Sequence, residues 1–225
     1  MKKYNIALCI AAIMLCMACK KDLQIERVFF EFEMPFTITP GTDTVRVGDT
    51  LRMEANFSDT LYDLMSGKKI HLPEFSGFNI FIISNKITDS SKSFFSQSGA
   101  GSSLFFQSIN TTQFQQISEK YSLINLFHAN SSYHFYVEII PKEKGVYSIM
   151  IGNGGGGVDN KGFIELPSYV IASEPGIRRI PVVRQNRYII NEGRTNKSLF
   201  RKFAQPLQSS DSSIQFQSTF TFEAF

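Results

Sequence analysis

The chain has 225 residues with 23 basic and 20 acidic side chains, three cysteines, 22 phenylalanines, 8 tyrosines and no tryptophan. That near balance excludes a polyanion or a molecule that binds nucleic acid through overall charge. Cys9, Cys16 and Cys19 all fall in the first 19 residues. The remainder therefore has no disulfide, thiol nucleophile or thiolate metal site, yet is long enough to bury a sizeable core without covalent staples.

In chain order, the first element is a basic start at Met1, Lys2 and Lys3, followed by an almost uncharged apolar run, Ile6 to Ala18. The run has 13 residues, whereas a helix needs roughly 20 to cross a bilayer, so a processed signal is expected rather than a permanent span. Ala18 supplies a small residue directly before Cys19. On these residues the segment resembles bacterial lipoprotein signal peptides, which implies cleavage before Cys19 and acylation of that cysteine. It departs from the usual pattern in having Cys16 three residues before the acylated position and Leu15 one further back. Cys19-Lys20-Lys21-Asp22 is similar to the export signal of bacteria that display glycan-utilisation lipoproteins, although that signal usually carries more acidic residues. The resemblance implies a membrane partner through the lipid anchor and a place on the cell outer membrane facing the exterior, a periplasm-facing orientation being the alternative. The expected organisation is a signal peptide at 1–18, a tether at 19–26 and one ectodomain at 27–225. Without Lys2 and Lys3 the mature chain is near +1.

After the tether, Val28, Phe30, Phe32, Met34, Phe36 and Ile38 are apolar at every second position, the signature of a half-buried strand. Pro35 has no N–H to give a ladder, so an edge or bulge is expected there. Pro40-Gly41-Thr42-Asp43 reads as a turn. Val45 and Val47, then Leu51, Met53, Ala55 and Phe57, continue the alternation around a break at Gly48-Asp49. Further strands are expected at Phe78 to Ile83, Leu104 to Ile109, Tyr133 to Ile140, Val146 to Ile151, Gly162 to Ala172, Ile180 to Ile190 and Ile214 to Phe222. The loops between them are rich in Ser, Gly, Asn and Thr, above all Thr88 to Ser103. Phe114, Ile117, Tyr121 and Ile124 recur at spacings of three and four, which predicts a helix or an irregular excursion.

Val45 to Met53 and Pro141 to Ile149 resemble stretches of immunoglobulin-like modules of bacterial surface proteins. The second is similar to the corner where a tyrosine precedes a late core strand, which implies that the Tyr147 hydroxyl bonds upstream backbone. The expected fold is all-β, an antiparallel immunoglobulin-like β-sandwich with long loops and at most one short helix.

Motifs with chemistry are weak by comparison. Gly152-Asn153-Gly154-Gly155-Gly156-Gly157 contains the glycine spacing of a dinucleotide fingerprint, but it leads toward another strand and not toward the helix that receives a pyrophosphate. Asn153, Asp159 and Asn160 offer oxygen ligands with a single carboxylate, too little charge for a tight calcium site. Ser66-Gly67-Lys68-Lys69 matches a Ser-x-x-Lys pattern without its companion motifs. His71, His128 and His134 form no helical pair. Glu31 and Glu33 share a strand face, the geometry a glycosidase needs and also what a solvated strand predicts. Tyr133, Tyr147, Tyr169 and Tyr188 are the candidate exposed aromatics for stacking sugars. Three triplets, Asp43-Thr44-Val45, Asp49-Thr50-Leu51 and Asp59-Thr60-Leu61, are similar to an O-glycosylation acceptor pattern of some surface-lipoprotein-rich bacteria, which implies Thr44, Thr50 and Thr60 as acceptors.

Between Arg178 and Lys202 there are eight basic side chains against Glu192 alone. Arg194, Lys197, Arg201 and Lys202 are the candidate contacts for an anionic ligand, and alternation splits Arg184 from Arg179 and Arg187. These readings point to a non-catalytic surface lipoprotein that binds or scaffolds a ligand, a polysaccharide being the nearest specific version. No metal, cofactor or nucleic acid is expected. A carboxylate-dependent hydrolase of envelope or extracellular glycans, and a structural subunit that pairs with an envelope protein, are the rival expectations.

Overall fold

A computed structural model of the chain describes residues 24–73, 80–108, 114–153, 164–166, 171, 177–203 and 217–225. Two sheets face each other. The first takes β1 (Gln24–Thr39), β3 (Leu51–Ser58), β4 (Thr60–Asp63), β5 (Lys68–His71), β8 (Leu104–Gln107), β11 (Phe127–Ala129), β12 (Ser132–Pro141), β14 (Ile164–Glu165) and β15 (Ile177–Ile190). Its main order is β11-β12-β3-β1-β15-β14, with β4 and β5 continuing from β1 and β8 pairing with β12. The second runs β2 (Thr44–Val45), β16 (Thr219–Ala224), β13 (Gly145–Asn153), β6 (Ile80–Ile87), β10 (Tyr121–Ile124) and β9 (Phe114–Gln116), with β7 (Ser98–Gly99) on β6. The fold is thus the expected all-β sandwich, largely antiparallel, with one short α-helix, α1 (Lys197–Phe203), among the described residues.

Period-two alternation does what it should. Phe32, Met34, Phe36 and Ile38 of β1 enter one core cluster with Met53 of β3, Phe135 and Val137 of β12, Ile82 of β6, Tyr147 and Ile149 of β13, and Phe220 and Phe222 of β16. Burial of such side chains contributes about 1.5–3 kcal/mol each. β6 and β13 are apolar on both faces, and the structure gives the reason. Ile83, Ile87, Val146 and Met150 point away from the sandwich into a second cluster closed by Phe94 and by Phe200 of α1, whose rings lie 6.1 Å apart. The neighbouring loop is ordered by the side chain of Gln97, whose amide accepts from Thr88 N and donates to the carbonyls of Asp89 and Lys92.

Four expectations are corrected. Phe114 to Ile124 is not a helix but the β9–β10 hairpin, in which Ile124 opposes Phe114. Pairing with β6, from Tyr121↔Ile83 to Ile124↔Ile80, sets its faces instead and buries Ser122 and Ile124. Strand structure begins at Gln24, inside the span expected as tether. The basic strand β15 departs from an all-antiparallel sheet: it is antiparallel to β14 but pairs with β1 in parallel, from Gln24↔Ile177 to Phe36↔Ile190. Its register shifts by one residue after Phe30↔Val183, so that Glu31 opposes Gln185. This bulge reverses the alternation, so that Val183 and Tyr188 both reach the core while Arg187 points the other way. Pro35 sits between β4, which meets β1 at Phe32, and β3, which meets it from Thr37, so its missing N–H falls where neither strand needs it. Tyr133, Tyr147 and Tyr188, expected as exposed, are buried, and Tyr169 lies outside the described residues.

The anticipated corner is present. Tyr147 Oη donates to the Glu143 carbonyl at 2.9 Å, and its ring stacks on Phe222 at 5.5 Å.

Candidate functional site

The far end of β1 carries a surface cleft of about 530 Å³, lined by Pro35 to Ile38 of β1 with Gly41, Asn191, Glu192 and Arg194. β15 ends at Ile190, and the next three residues, Asn191, Glu192 and Gly193, all have positive φ, of 49°, 55° and 80°. For Glu192 this is uncommon backbone, which persists only where surrounding contacts hold it. Asn191 provides the hold. Its Oδ1 accepts from Ile38 N at 2.8 Å and its Nδ2 donates to Ile38 O at 3.1 Å, so a side-chain amide continues the pairing after β15 has stopped. Gly41 lies opposite, where a Cβ would stand a tight 3.2 Å from Asn191 Nδ2. The turn thereby displays Glu192 and Arg194, 87% and 85% exposed, with their charged groups 3.8 Å apart. An exposed pair so loosely held contributes little to stability, which leaves both groups usable by a ligand. The site offers a guanidinium and a carboxylate on a fixed turn beside the Thr37 hydroxyl of β1, and can hold a polar ligand bearing both acceptors and donors.

The other basic residues divide. Arg179 Nε donates to Glu26 at 2.9 Å and Arg187 pairs with Glu31 across the parallel β1–β15 seam, so part of the basic segment matches acids of the first strand. Arg201 and Lys202 are exposed on α1, against the outer face of the second sheet, while Lys197 begins that helix. Asn196 Nδ2 ties the approach to the helix to Thr221 O at 2.7 Å and Thr42 O at 3.2 Å. Of the four candidate anion contacts, Arg194 is the one lining the cleft.

A second polar cluster escaped the sequence reading. Asp59, whose side chain is 4% exposed, lies between His128 Nε2 at 3.1 Å and His71 Nδ1 at 3.4 Å. Thr60 Oγ1 is 3.4 Å from Asp59 and 3.2 Å from His71 Nδ1. Both of these neighbours meet His71 at the same ring nitrogen, so the group is not a relay from nucleophile through base to acid. Among the described residues no group of three or more His, Cys, Asp or Glu is arranged to hold a metal ion. The partners are 12 and 69 residues from Asp59, and no motif spacing could have found them.

The other candidates resolve simply. Glu31 is buried, paired with Arg187, and lends its backbone N–H to Asp63, whereas Glu33 is exposed. Ser66 belongs to the β4–β5 turn, where its N–H donates to Asp63 at 2.9 Å. Thr44 is exposed on β2, Thr50 is half-exposed, and Thr60 is engaged as above. Cys19, Gly154 to Gly157, Asp159 and Asn160 lie outside the described residues.

No family model matches the chain, and no curated protein does. Among solved structures it is similar to the reeler domain of human F-spondin, at 11% identity and a TM-score of 0.32 over 72% of this chain and 88% of that one. The Reelin-N domain of F-spondin gives 12% and 0.31, over 74% and 88%. The type II cohesin dyad of the adaptor ScaA scaffoldin of Acetivibrio cellulolyticus gives 9% and 0.24, over 68% of this chain and 48% of the dyad. The chain spans about half of the dyad's length. The likeness is one of β-sandwich architecture and carries no activity.

Proposed function

We propose that this chain is a lipid-anchored protein of the outer membrane, displayed to the exterior, whose β-sandwich binds an acidic polysaccharide without turning it over. The observation that carries the reading is the cleft at the end of β1, where a preorganised turn presents Arg194 and Glu192 beside Thr37. A guanidinium recognises carboxylates through paired N–H donors, and the neighbouring carboxylate and hydroxyl suit sugar hydroxyls. The signal-like start, with Ala18 before Cys19, supports the anchor.

The test is an array of neutral and uronic-acid polysaccharides probed with the purified mature protein. Acidic glycans are retained, retention falls as salt shortens the screening length to about 3 Å at 1 M, and Arg194→Ser weakens it without changing the melting temperature. Replacing Lys197, Arg201 and Lys202 as well separates the cleft from α1: further loss assigns the helix a share of the contact. Retention of no glycan, together with stable co-purification of an envelope protein, would replace the polysaccharide by a protein partner. Release of reducing ends would make the protein a hydrolase.

A further inference from the structure

β1 is the longest strand among the described residues, 16 residues from Gln24 to Thr39. From Gln24 to Val28 its described partner is β15 alone: β14 joins at Val182 and Val183, β4 at Phe32 and β3 from Thr37. The two parallel strands thus form a short stem that joins the core at Val28, whose partner Pro181 accepts from Leu166 N. In their register Ile25 lies beside Arg178 and Arg27 beside Ile180 on one face, with Glu26 beside Arg179 on the other. Ile25 is 60% exposed and Arg178 is exposed, which sets an apolar side chain next to a cation one residue into each strand.

Cys19 precedes Gln24 by five residues, a reach of at most about 18 Å when fully extended. Gln24 and Phe36 are 12 residues apart on one strand, which at about 3.3 Å per residue separates stem base from cleft by about 40 Å. At the described base Arg27, Arg178 and Arg179 outnumber Glu26.

We propose that the stem stands on the bilayer, with Ile25 in the headgroup layer and Arg178 on anionic lipid phosphates. The sandwich is thereby held upright and the Asn191–Arg194 cleft faces outward, about 40 Å from the stem base. Apolar insertion beside basic side chains is the combination that anionic interfaces favour. Each basic side chain at such a surface strengthens attraction about fivefold. The inference rests on acylation of Cys19 and deepens the functional reading by stating which end of the domain meets the ligand.

The experiment uses the acylated protein, which after processing has no free thiol, so an introduced cysteine is the single labelling site. Ile25→Cys and Thr37→Cys are each labelled with a donor dye and reconstituted in phosphatidylethanolamine–phosphatidylglycerol vesicles carrying acceptor-labelled headgroups. Transfer is expected to be strong from position 25 and weak from position 37. Exchanging phosphatidylglycerol for phosphatidylcholine, or adding Arg178→Glu to the Thr37→Cys protein, lets the domain tilt. Either change raises transfer from position 37 as the upright-to-tilted ratio falls by about fivefold or more. Equal transfer from both positions, or transfer from 37 that ignores lipid charge and Arg178→Glu, overturns the stem while labelled palmitate on Cys19 leaves the anchor standing. Absence of palmitate from Cys19 overturns the anchor and the stem together.

Discussion

Two buried aspartates bracket β4, and they are satisfied in opposite ways. Asp63, fully buried, accepts from three backbone N–H groups: Glu31 at 2.9 Å, Met65 at 3.2 Å and Ser66 at 2.9 Å. Two of those donors lie within three residues of it, in the turn it closes. Asp59 instead has His71, His128 and Thr60 as its side-chain neighbours, and His128 comes from a strand 69 residues away. Its own N–H donates to Ser131 O and its carbonyl accepts from Leu72 N. Asp63 therefore builds a local turn and docks it on β1, whereas Asp59 joins three segments that meet only when the sheet is complete.

The contrast can be broken by substitution. Asp63→Asn turns an acceptor into a donor facing Ser66 N and removes the charge from buried amide bonds, for an expected loss of about 3 kcal/mol in urea unfolding with the m-value unchanged. Asp59→Asn is expected to cost about 2 kcal/mol, because imidazole partners can turn toward solvent more readily than backbone amides can. A double-mutant cycle with His128→Gln should return a coupling of about 1 kcal/mol. A coupling near zero would mean that the cluster is held by backbone alone.

The same distinction recurs at Glu143 on a smaller scale. Its carbonyl receives the local bond from Tyr147, while its carboxylate takes a remote one from Lys86 Nζ at 2.6 Å and another from Ser103 Oγ at 2.8 Å. Tyr147→Phe removes a single neutral bond and should cost about 1 kcal/mol by thermal unfolding. The Lys86 hydrogen bond, with help from Ser103, holds the Glu143 carboxyl below its ordinary range, and the same bond raises the Lys86 ammonium. For the depressed acid, stability is present above the unfolded-state value near 4.5 and is lost as pH falls through the lower folded value. For the raised base, it is present below 10.5 and lost as pH climbs through the higher folded value. Glu143→Gln should therefore differ slightly from the parent at neutral pH and converge with it at both extremes. A difference that persists into acid would assign the effect to packing.

Legibility followed the range of the interaction. Alternation in Val28 to Ile38 was readable because burial repeats every second residue on a strand, and the Tyr147 corner through the resemblance of Pro141 to Ile149 to immunoglobulin-like modules. At Phe114 to Ile124 the same local reading failed, since a 3/4 spacing was present in a segment that the open edge of β6 holds as a hairpin. The basic segment was visible as charge, but its use was not. Arg179 and Arg187 find Glu26 and Glu31 more than 150 residues away, a pairing that needs the parallel seam to exist first.

The amino-acid order by itself determined the strand faces, the turns at Pro40-Gly41 and Gly48-Asp49, and the apolar mass of the core, because each depends on neighbours within a few residues. Tertiary structure alone decided the β1–β15 pairing, the Asp59 cluster and the cleft. Ile38 and Asn191, which shape that cleft, are 153 residues apart. Contacts of that range need β1 and β15 to be paired in one register, which leaves Arg194 and Glu192 on a turn that neither strand could hold alone.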